Sequence, residues 1–350
     1  MEIKHISYFT DNYNEKYFGI TPNSETVYSY EIANKNGMKL QLINYGATIT
    51  TLKIPKENGE LLDVVLGFDN LQAYIDSFDL DGAPYFGATI GRFAGRINNG
   101  TFELNGKIFE LDKNNGKHNL HGGKNGFSQK VWQVSRIDLY KNPSITLTYT
   151  SADNESNFPG ALTIELTYTL TDKNELIIEY NAKTTEDTIV NLTHHSYFNL
   201  DGHTESVVDQ ELFINSKKTV ETSNENIPTG RFLNLSNCPF DFTMSKNCPE
   251  KIDATFVLDQ QTKLAASLYS KKNNLKMYVY TNQPAVHIYV GGNCFGHIKG
   301  KENADYHSLS GICFETQNFP DAPNHNHFPS AVLKKDALYY QKTRYQFQYI

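Results

Sequence analysis

Short runs rich in Val, Ile, Thr, Tyr and Phe recur along this chain, and several are separated by the pairs Asn36-Gly37, Asn58-Gly59, Asn105-Gly106 and Asp201-Gly202. Such pairs supply the positive φ angles that tight hairpin turns demand, so they mark where one strand folds back on the next. The runs Leu40 to Ile43, Thr101 to Leu104, Ser144 to Tyr149, Leu162 to Leu170, Leu176 to Tyr180, Met277 to Tyr280 and Val286 to Val290 read as strands. Helical periodicity is nearly absent; short helices are expected only around Asn70 to Asp76 and Pro329 to Lys334. The pattern predicts an all-β chain, a large antiparallel β-sandwich rather than an alternating βαβ fold. With no repeat, low-complexity tract or Pro/Ser-rich linker, residues 1–350 are expected to form one domain. The poorly patterned segment Met1 to Glu25 is expected to wrap outside the core.

Composition narrows the class of partner. A formal net charge of -7, with no block of basic residues, argues against nucleic acid and favours a neutral or weakly charged ligand. The chain shows neither an export signal nor an apolar stretch long enough to cross a bilayer, so a soluble, cytoplasmic protein is expected, with no membrane partner. Its four cysteines, Cys238, Cys248, Cys294 and Cys313, lack both CxxC spacing and the density of a disulfide scaffold. They are expected to be reduced thiols, with Cys313 buried in a strand.

Two distant stretches carry groups that exchange protons near neutral pH: Thr193-His194-His195-Ser196-Tyr197-Phe198-Asn199-Leu200 and Gly311-Ile312-Cys313-Phe314-Glu315-Thr316-Gln317-Asn318-Phe319-Pro320. An imidazole and a carboxylate on separate strands can form an acid and base pair across a pocket. Alternation along a strand puts Leu192, His194 and Ser196 on one face and Asn191, Thr193, His195 and Tyr197 on the other, so only one of the two histidines can face a given pocket. The same rule sets Cys313 and Glu315 opposite Ile312 and Phe314, with Glu315 expected at a strand end opening into a loop. The His118 and His121 pair and His325-Asn326-His327 lack a carboxylate or cysteine partner at ligand spacing, and no metal or redox cofactor is expected. Asp253 with Glu315 could instead form the carboxylate pair of a glycoside hydrolase.

Further motifs accompany these: Pro84-Tyr85-Phe86-Gly87-Ala88-Thr89-Ile90-Gly91-Arg92-Phe93-Ala94-Gly95-Arg96-Ile97, Asn119-Leu120-His121-Gly122-Gly123, Ile227-Pro228-Thr229-Gly230 and Thr281-Asn282-Gln283-Pro284. In this order and at these separations, from about Asn44 to the C-terminus, the chain resembles the aldose 1-epimerase, or galactose mutarotase, family. The resemblance implies the family's large β-sandwich and the interconversion of α and β anomers of free hexoses such as D-galactose and D-glucose. It assigns Glu315 as base and His195 as acid, and Arg96, His121, Asp253 and Gln283 as residues that bind the sugar. Arg92 is expected to support the fold, and His118 to take no part. Many relatives carry asparagine where this chain has Gly95, which bears on hydroxyl preference. A hexose-6-phosphate epimerase, for which the arginines are few, and a binding protein without catalysis are the competing readings on the same fold.

Overall fold

The computed structural model describes residues 15–80, 82–236, 238–259, 261–292 and 298–350. Cys294 and the first residues of the Met1 to Glu25 segment lie outside the described residues. Three sheets dominate. A nine-stranded sheet runs, in spatial order, through the strands Gln133–Asp138, Ser144–Ser151, Leu162–Thr171, Glu175–Thr184, Tyr339–Tyr349, Leu275–Thr281, Leu264–Ser270, Glu211–Ile214 and Lys246–Asn247. A six-stranded sheet orders Tyr197–Phe198, Ile312–Gln317, Ala285–Val290, Ile252–Val257, Lys218–Thr222 and Pro228–Asn234. The five strands of the third, from Lys16–Ile20 to Leu61–Asp63, follow one another in chain order.

Each strand run read from the sequence lies within an observed strand. In Leu162–Thr171 every second residue is buried, and Leu162, Ile164, Leu166, Tyr168 and Leu170 join the core. Ile288, Ile312 and Phe314 from the six-stranded sheet, and Leu40, Leu42 and Leu52 from the five-stranded sheet, enter the same apolar cluster. The burial of these side chains is the dominant favourable term in holding the sheets together. Asn105 and Gly106 both have positive φ, 53° and 74°, as a tight hairpin turn between Thr101–Leu104 and Lys107–Glu110 requires. The segment Lys16–Ile20 pairs with Thr26–Ala33 as an outer strand, in keeping with an N-terminal region laid against the core from outside.

The two helical expectations part company. Leu71–Ser77 is a helix, begun by Asn70, whose side chain accepts a hydrogen bond from the Ala73 N–H at 2.9 Å. The Pro329 to Lys334 segment is not a helix: Val332–Leu333 pairs antiparallel with Thr188–Ile189. The Val190 N–H donates to the Ala331 carbonyl, so this segment spends its backbone groups on a neighbouring chain segment instead of on itself.

Candidate active site

The two proton-exchanging stretches are knitted together before any side-chain chemistry begins. The Asn191 side chain donates to the Asn318 carbonyl, and the Asn318 N–H donates back to Asn191 Oδ1 at 2.8 Å. Thr193 Oγ1 donates to the Thr316 carbonyl, and Tyr197 pairs with Cys313 across the Tyr197–Phe198 and Ile312–Gln317 strands. The strand through His194 is interrupted: Thr193–His194 and Tyr197–Phe198 are separate two-residue strands, with His195 between them. His195 is held by its own backbone instead, donating its N–H to the Ala88 carbonyl and accepting from the Gly87 N–H. Gly87 itself has φ +64°, and a Cβ there would lie 2.0 Å from the Ile49 carbonyl oxygen, so only glycine fits this anchor.

His195 and Glu315 meet in a cleft of about 810 Å³. His195 Nε2 is 3.4 Å from Glu315 Oε1, and both residues are almost sealed from solvent, at 3% and 2% exposure. His194 takes the other side, its ring edge on to Tyr168 in the core, so the expectation that one histidine alone faces the pocket holds. The expectation for Glu315 needs correction. It does not end a strand but sits inside Ile312–Gln317, flanked by Tyr197–Phe198 and Ala285–Val290. A central strand fixes its position more firmly than a loop would.

His121 and Arg96 come from two segments paired by the short strands Asn119–Leu120 and Arg96–Ile97. His121 stands in the left-handed region with φ +54°, and the adjoining Gly122 comes so close to Gly91 that a Cβ would lie 2.0 Å from the Gly91 carbonyl oxygen. Gly95 donates its N–H to His121 Nδ1 at 3.3 Å, and a Cβ at Gly95 would lie 2.9 Å from Pro320. An asparagine at this position would therefore have no room without a shift. Arg96 is steadied by the Asn115 side chain, which accepts from its Nε at 3.0 Å. Arg92 lies outside this cleft, buried and donating to the Pro159 and Gly160 carbonyls and to Ser151. His118, buried elsewhere, accepts the Asn99 N–H.

Asp253 also lines the cleft, and one of its carboxylate oxygens is 3.1 Å from His287 Nε2 while the other accepts from Asn226 at 3.0 Å. Gln283 does not join them. It sits in the turn before Ala285–Val290, its N–H bonded to Thr281 Oγ1, and lines a separate shallow cavity of about 370 Å³ beside Tyr339 and Tyr340. Gln129 and Gln317 line the main cleft instead, Gln317 on the Glu315 face of the same strand. Sequence reasoning also passed over Tyr85 and His287. Tyr85 packs its ring 5.0 Å from His121 and 5.7 Å from His195, measured between centroids. His287 was legible as an imidazole inside an otherwise apolar expected strand, Val286 to Val290.

Burial shapes the electrostatics. It pushes the His195 imidazole below its ordinary value, although the Glu315 carboxylate pulls the other way. Burial, reinforced by the charges of His195, Arg96 and His287, holds His121 well below the usual range, so it is neutral. For His287 burial also opposes the charge, but the hydrogen bond and charge of Asp253 outweigh it and raise the imidazole above its ordinary value. Asp253 in turn, against the cost of burial, is held below the usual carboxylate range by His287.

Ligand atoms of His121, His195 and Glu315 lie within 4.8 Å of one another, a grouping that could in principle hold a cation. His121 argues otherwise. Its Nδ1 accepts a hydrogen from Gly95, which in the neutral ring leaves the proton on Nε2, whereas a metal-bound imidazole donates from its second nitrogen to an acceptor. The group is suited to donating to an oxygen of a sugar. A carboxylate and an imidazole in contact, a neutral hydrogen-bond donor, an arginine and a second carboxylate together match the needs of a polyhydroxylated ring.

Similarity to known proteins points the same way. The family model described as Aldose 1-epimerase matches residues 28–346. The chain is 35% identical over 342 residues to the galactose mutarotase of Bos taurus, covering 94% of this chain and 97% of that one. It is 33% identical over 333 residues to the aldose 1-epimerase of Haemophilus influenzae, covering 91% and 94%. The crystal structure of an aldose epimerase homologue from C. elegans superimposes with a TM-score of 0.84 at 33% identity, covering 91% of this chain and 98% of that one.

Proposed function

The chain belongs to the aldose 1-epimerase family, and on that premise we propose that it interconverts the α and β anomers of free hexoses, foremost D-galactose and D-glucose, with Glu315 as base and His195 as acid. The observation that carries the assignment of roles is the 3.4 Å approach of His195 Nε2 to Glu315 Oε1 inside a closed wall of the cleft. Ring opening starts when the Glu315 carboxylate takes the proton of the C1 hydroxyl. The C1–O5 bond breaks as the electron pair on O1 forms the carbonyl, and protonated His195 gives its proton to O5. Rotation about C1–C2 turns the other face of the aldehyde to O5. Closure then runs the same transfers backwards: neutral His195 takes the O5 proton and the Glu315 carboxyl returns one to O1. No atom is gained or lost, and no redox change occurs.

Arg96, His121 and Asp253 hold the ring in this reading. The Arg96 guanidinium can fork to neighbouring hydroxyls, His121 donates from Nε2, and Asp253 accepts. Tyr85, wedged against both histidines, supplies an apolar surface beside the ring. The apolar cluster that runs from Tyr30 to Phe347 supports reading the chain as a single domain. A cytoplasmic location is also proposed. It is supported by the free thiols of Cys238, Cys248 and Cys313, and among the described residues no helix is long and apolar enough to cross a membrane.

Polarimetry with freshly dissolved α-D-galactose or α-D-glucose tests the activity directly. Decay of rotation faster than the spontaneous rate, at catalytic amounts of protein, is the expected result. Binding of the sugar without any acceleration would overturn the proposal in favour of a carbohydrate-binding protein.

A further inference from the structure

Two carboxylates, Asp253 and Glu315, line one cleft. Left to themselves, like charges at close quarters in a low-dielectric site push one of the pair towards its protonated form. A protonated Glu315 cannot take a proton from the C1 hydroxyl. The fold answers this through strand register. Across three neighbouring strands of the six-stranded sheet, Glu315 stands directly opposite His287, and His287 directly opposite Thr255. Residues directly opposite share a face and lie roughly 5 Å apart at Cβ. Asp253, two residues before Thr255, is on that same face.

His287 is therefore interposed between the two acids. Its Nε2 is 3.1 Å from Asp253 Oδ1, and its Nδ1 is 2.9 Å from Thr255 Oγ1. The ring thus has a polar partner on each nitrogen, with a carboxylate on one and a hydroxyl able to accept on the other. Thr255 is itself fixed, since its carbonyl accepts from Thr219 Oγ1. We propose that His287 is a positioning residue of the reaction, an imidazolium set between Asp253 and Glu315 that allows both carboxylates to remain ionised in one cleft. The inference rests on the mutarotase reading given above and adds a role to a residue that the sequence motifs pass over.

Asp253 and Glu315 favour the charged form of His287, while Arg96 opposes it. His195 and His121 each feel its charge as an unfavourable neighbour. Lys251 acts on Asp253 from the same strand region. Two adjacent carboxylates against the single Arg96 guanidinium agree in direction with the raised proton affinity of the ring.

Nuclear magnetic resonance of the full chain labelled with 15N-histidine tests the charge without reference to turnover, with the His287→Gln spectrum identifying the ring. Imidazolium shifts for His287 at pH 7 are expected; a neutral ring at that pH overturns the proposal. The second measurement is the pH dependence of kcat/KM for hexose mutarotation. In His287→Gln the acid limb should move up by about one pH unit or more, because a compensating charge has gone. Placing the same substitution in an Asp253→Asn background, where no second carboxylate needs compensation, should move the limb far less. Superimposable limbs for the native protein and His287→Gln would sink the idea while leaving the mutarotase reading intact. Absence of any mutarotation by the native protein would sink that reading and with it the role in the reaction, while the resonance result would still report the charge of His287 by itself.

Discussion

Glu315 Oε1 lies 3.4 Å from His195 Nε2, and the two side chains reach each other from segments that Asn191 and Asn318 tie together by reciprocal hydrogen bonds. The proposed base and acid are thus fixed relative to one another by hydrogen bonds between their two segments. Replacing Glu315 by Gln keeps the shape and removes the base, so turnover should fall to near the spontaneous rate with the thermal unfolding midpoint essentially unchanged. Replacing His195 by Asn should cost roughly 10²–10⁴ in kcat, the usual share of a general acid. Polarimetric initial rates check both. Near-normal turnover in Glu315→Gln would mean that the base is another group.

Acid and base demands also set a pH window. Burial lowers the proton affinity of His195, so its protonated form, the one able to give a proton to O5, is lost as pH rises through a value below the ordinary 6.5. The alkaline limb of kcat/KM, which reports the free enzyme, is accordingly expected on the acid side of pH 6.5. A profile measured in buffers of constant ionic strength checks this. A limb lying clearly above that pH would show that the Glu315 charge outweighs the burial of the ring.

Arg96 is steadied by Asn115 and brought to the cleft by the backbone contact of its carbonyl with the Asp321 N–H. If it binds hydroxyls that are present in both the ring and the open form, its loss should weaken binding more than chemistry. Arg96→Ala is expected to raise KM roughly ten- to a hundredfold, as loss of charge-assisted hydrogen bonds would. Asn115→Ala should do the same to a smaller degree. Steady-state kinetics on galactose and glucose would count against the role if kcat fell while KM held.

How much of this was legible beforehand depends on the range of the interaction. Strands such as Leu162–Thr171 announce themselves because alternation and turn chemistry are local. The separation of His194 from His195 followed from parity alone, even though the strand breaks between them. Glu315 was misplaced at a strand end because the residues that cover it, on Tyr197–Phe198 and Ala285–Val290, are remote in sequence. The Pro329 to Lys334 segment read as helix for a related reason: its partner, Thr188–Ile189, is far away along the chain. Gln283 illustrates the limit of motif transfer. Its neighbourhood was recognisable, but the turn aims it at Thr281 and Asn282, while Gln317 and His287 occupy the cleft.

The histidine that turns away from the cleft has its own consequence. Burial, with the His195 charge adding to it, pushes the His194 imidazole down to about 3. In the unfolded chain it would bind a proton near pH 6.5. Below that pH the unfolded state takes up the proton that the folded state refuses, so this contribution is full above pH 6.5 and drains away as pH falls towards 3. Stability should therefore drop between pH 7 and pH 4.5 by about 2–3 kcal/mol from this group. Urea titrations of the native protein and His194→Gln should show the variant to be less sensitive over that range. Parallel pH dependences would contradict the assignment.

A second buried charge cluster stands behind the active-site wall. Lys301 Nζ is 2.7 Å from Asp63 Oδ2 and also donates to the Thr50 carbonyl, while Asp63 Oδ1 accepts from the Leu52 and Val65 N–H groups. His203 approaches the same carboxylate at 3.4 Å and is bonded through Nδ1 to the Tyr306 hydroxyl. The Tyr306 ring packs on Phe86, next to Gly87, whose N–H holds the His195 carbonyl. Removing one member leaves the other as an uncompensated buried charge, which is far costlier than removing both. Lys301→Met should destabilise the fold by roughly 3–5 kcal/mol, and Lys301→Met combined with Asp63→Leu should recover part of that loss. If denaturant unfolding shows the double variant to be as unstable as the sum of the singles, the cluster owes its stability to its separate hydrogen bonds with Thr50, Leu52 and Val65 and not to charge pairing.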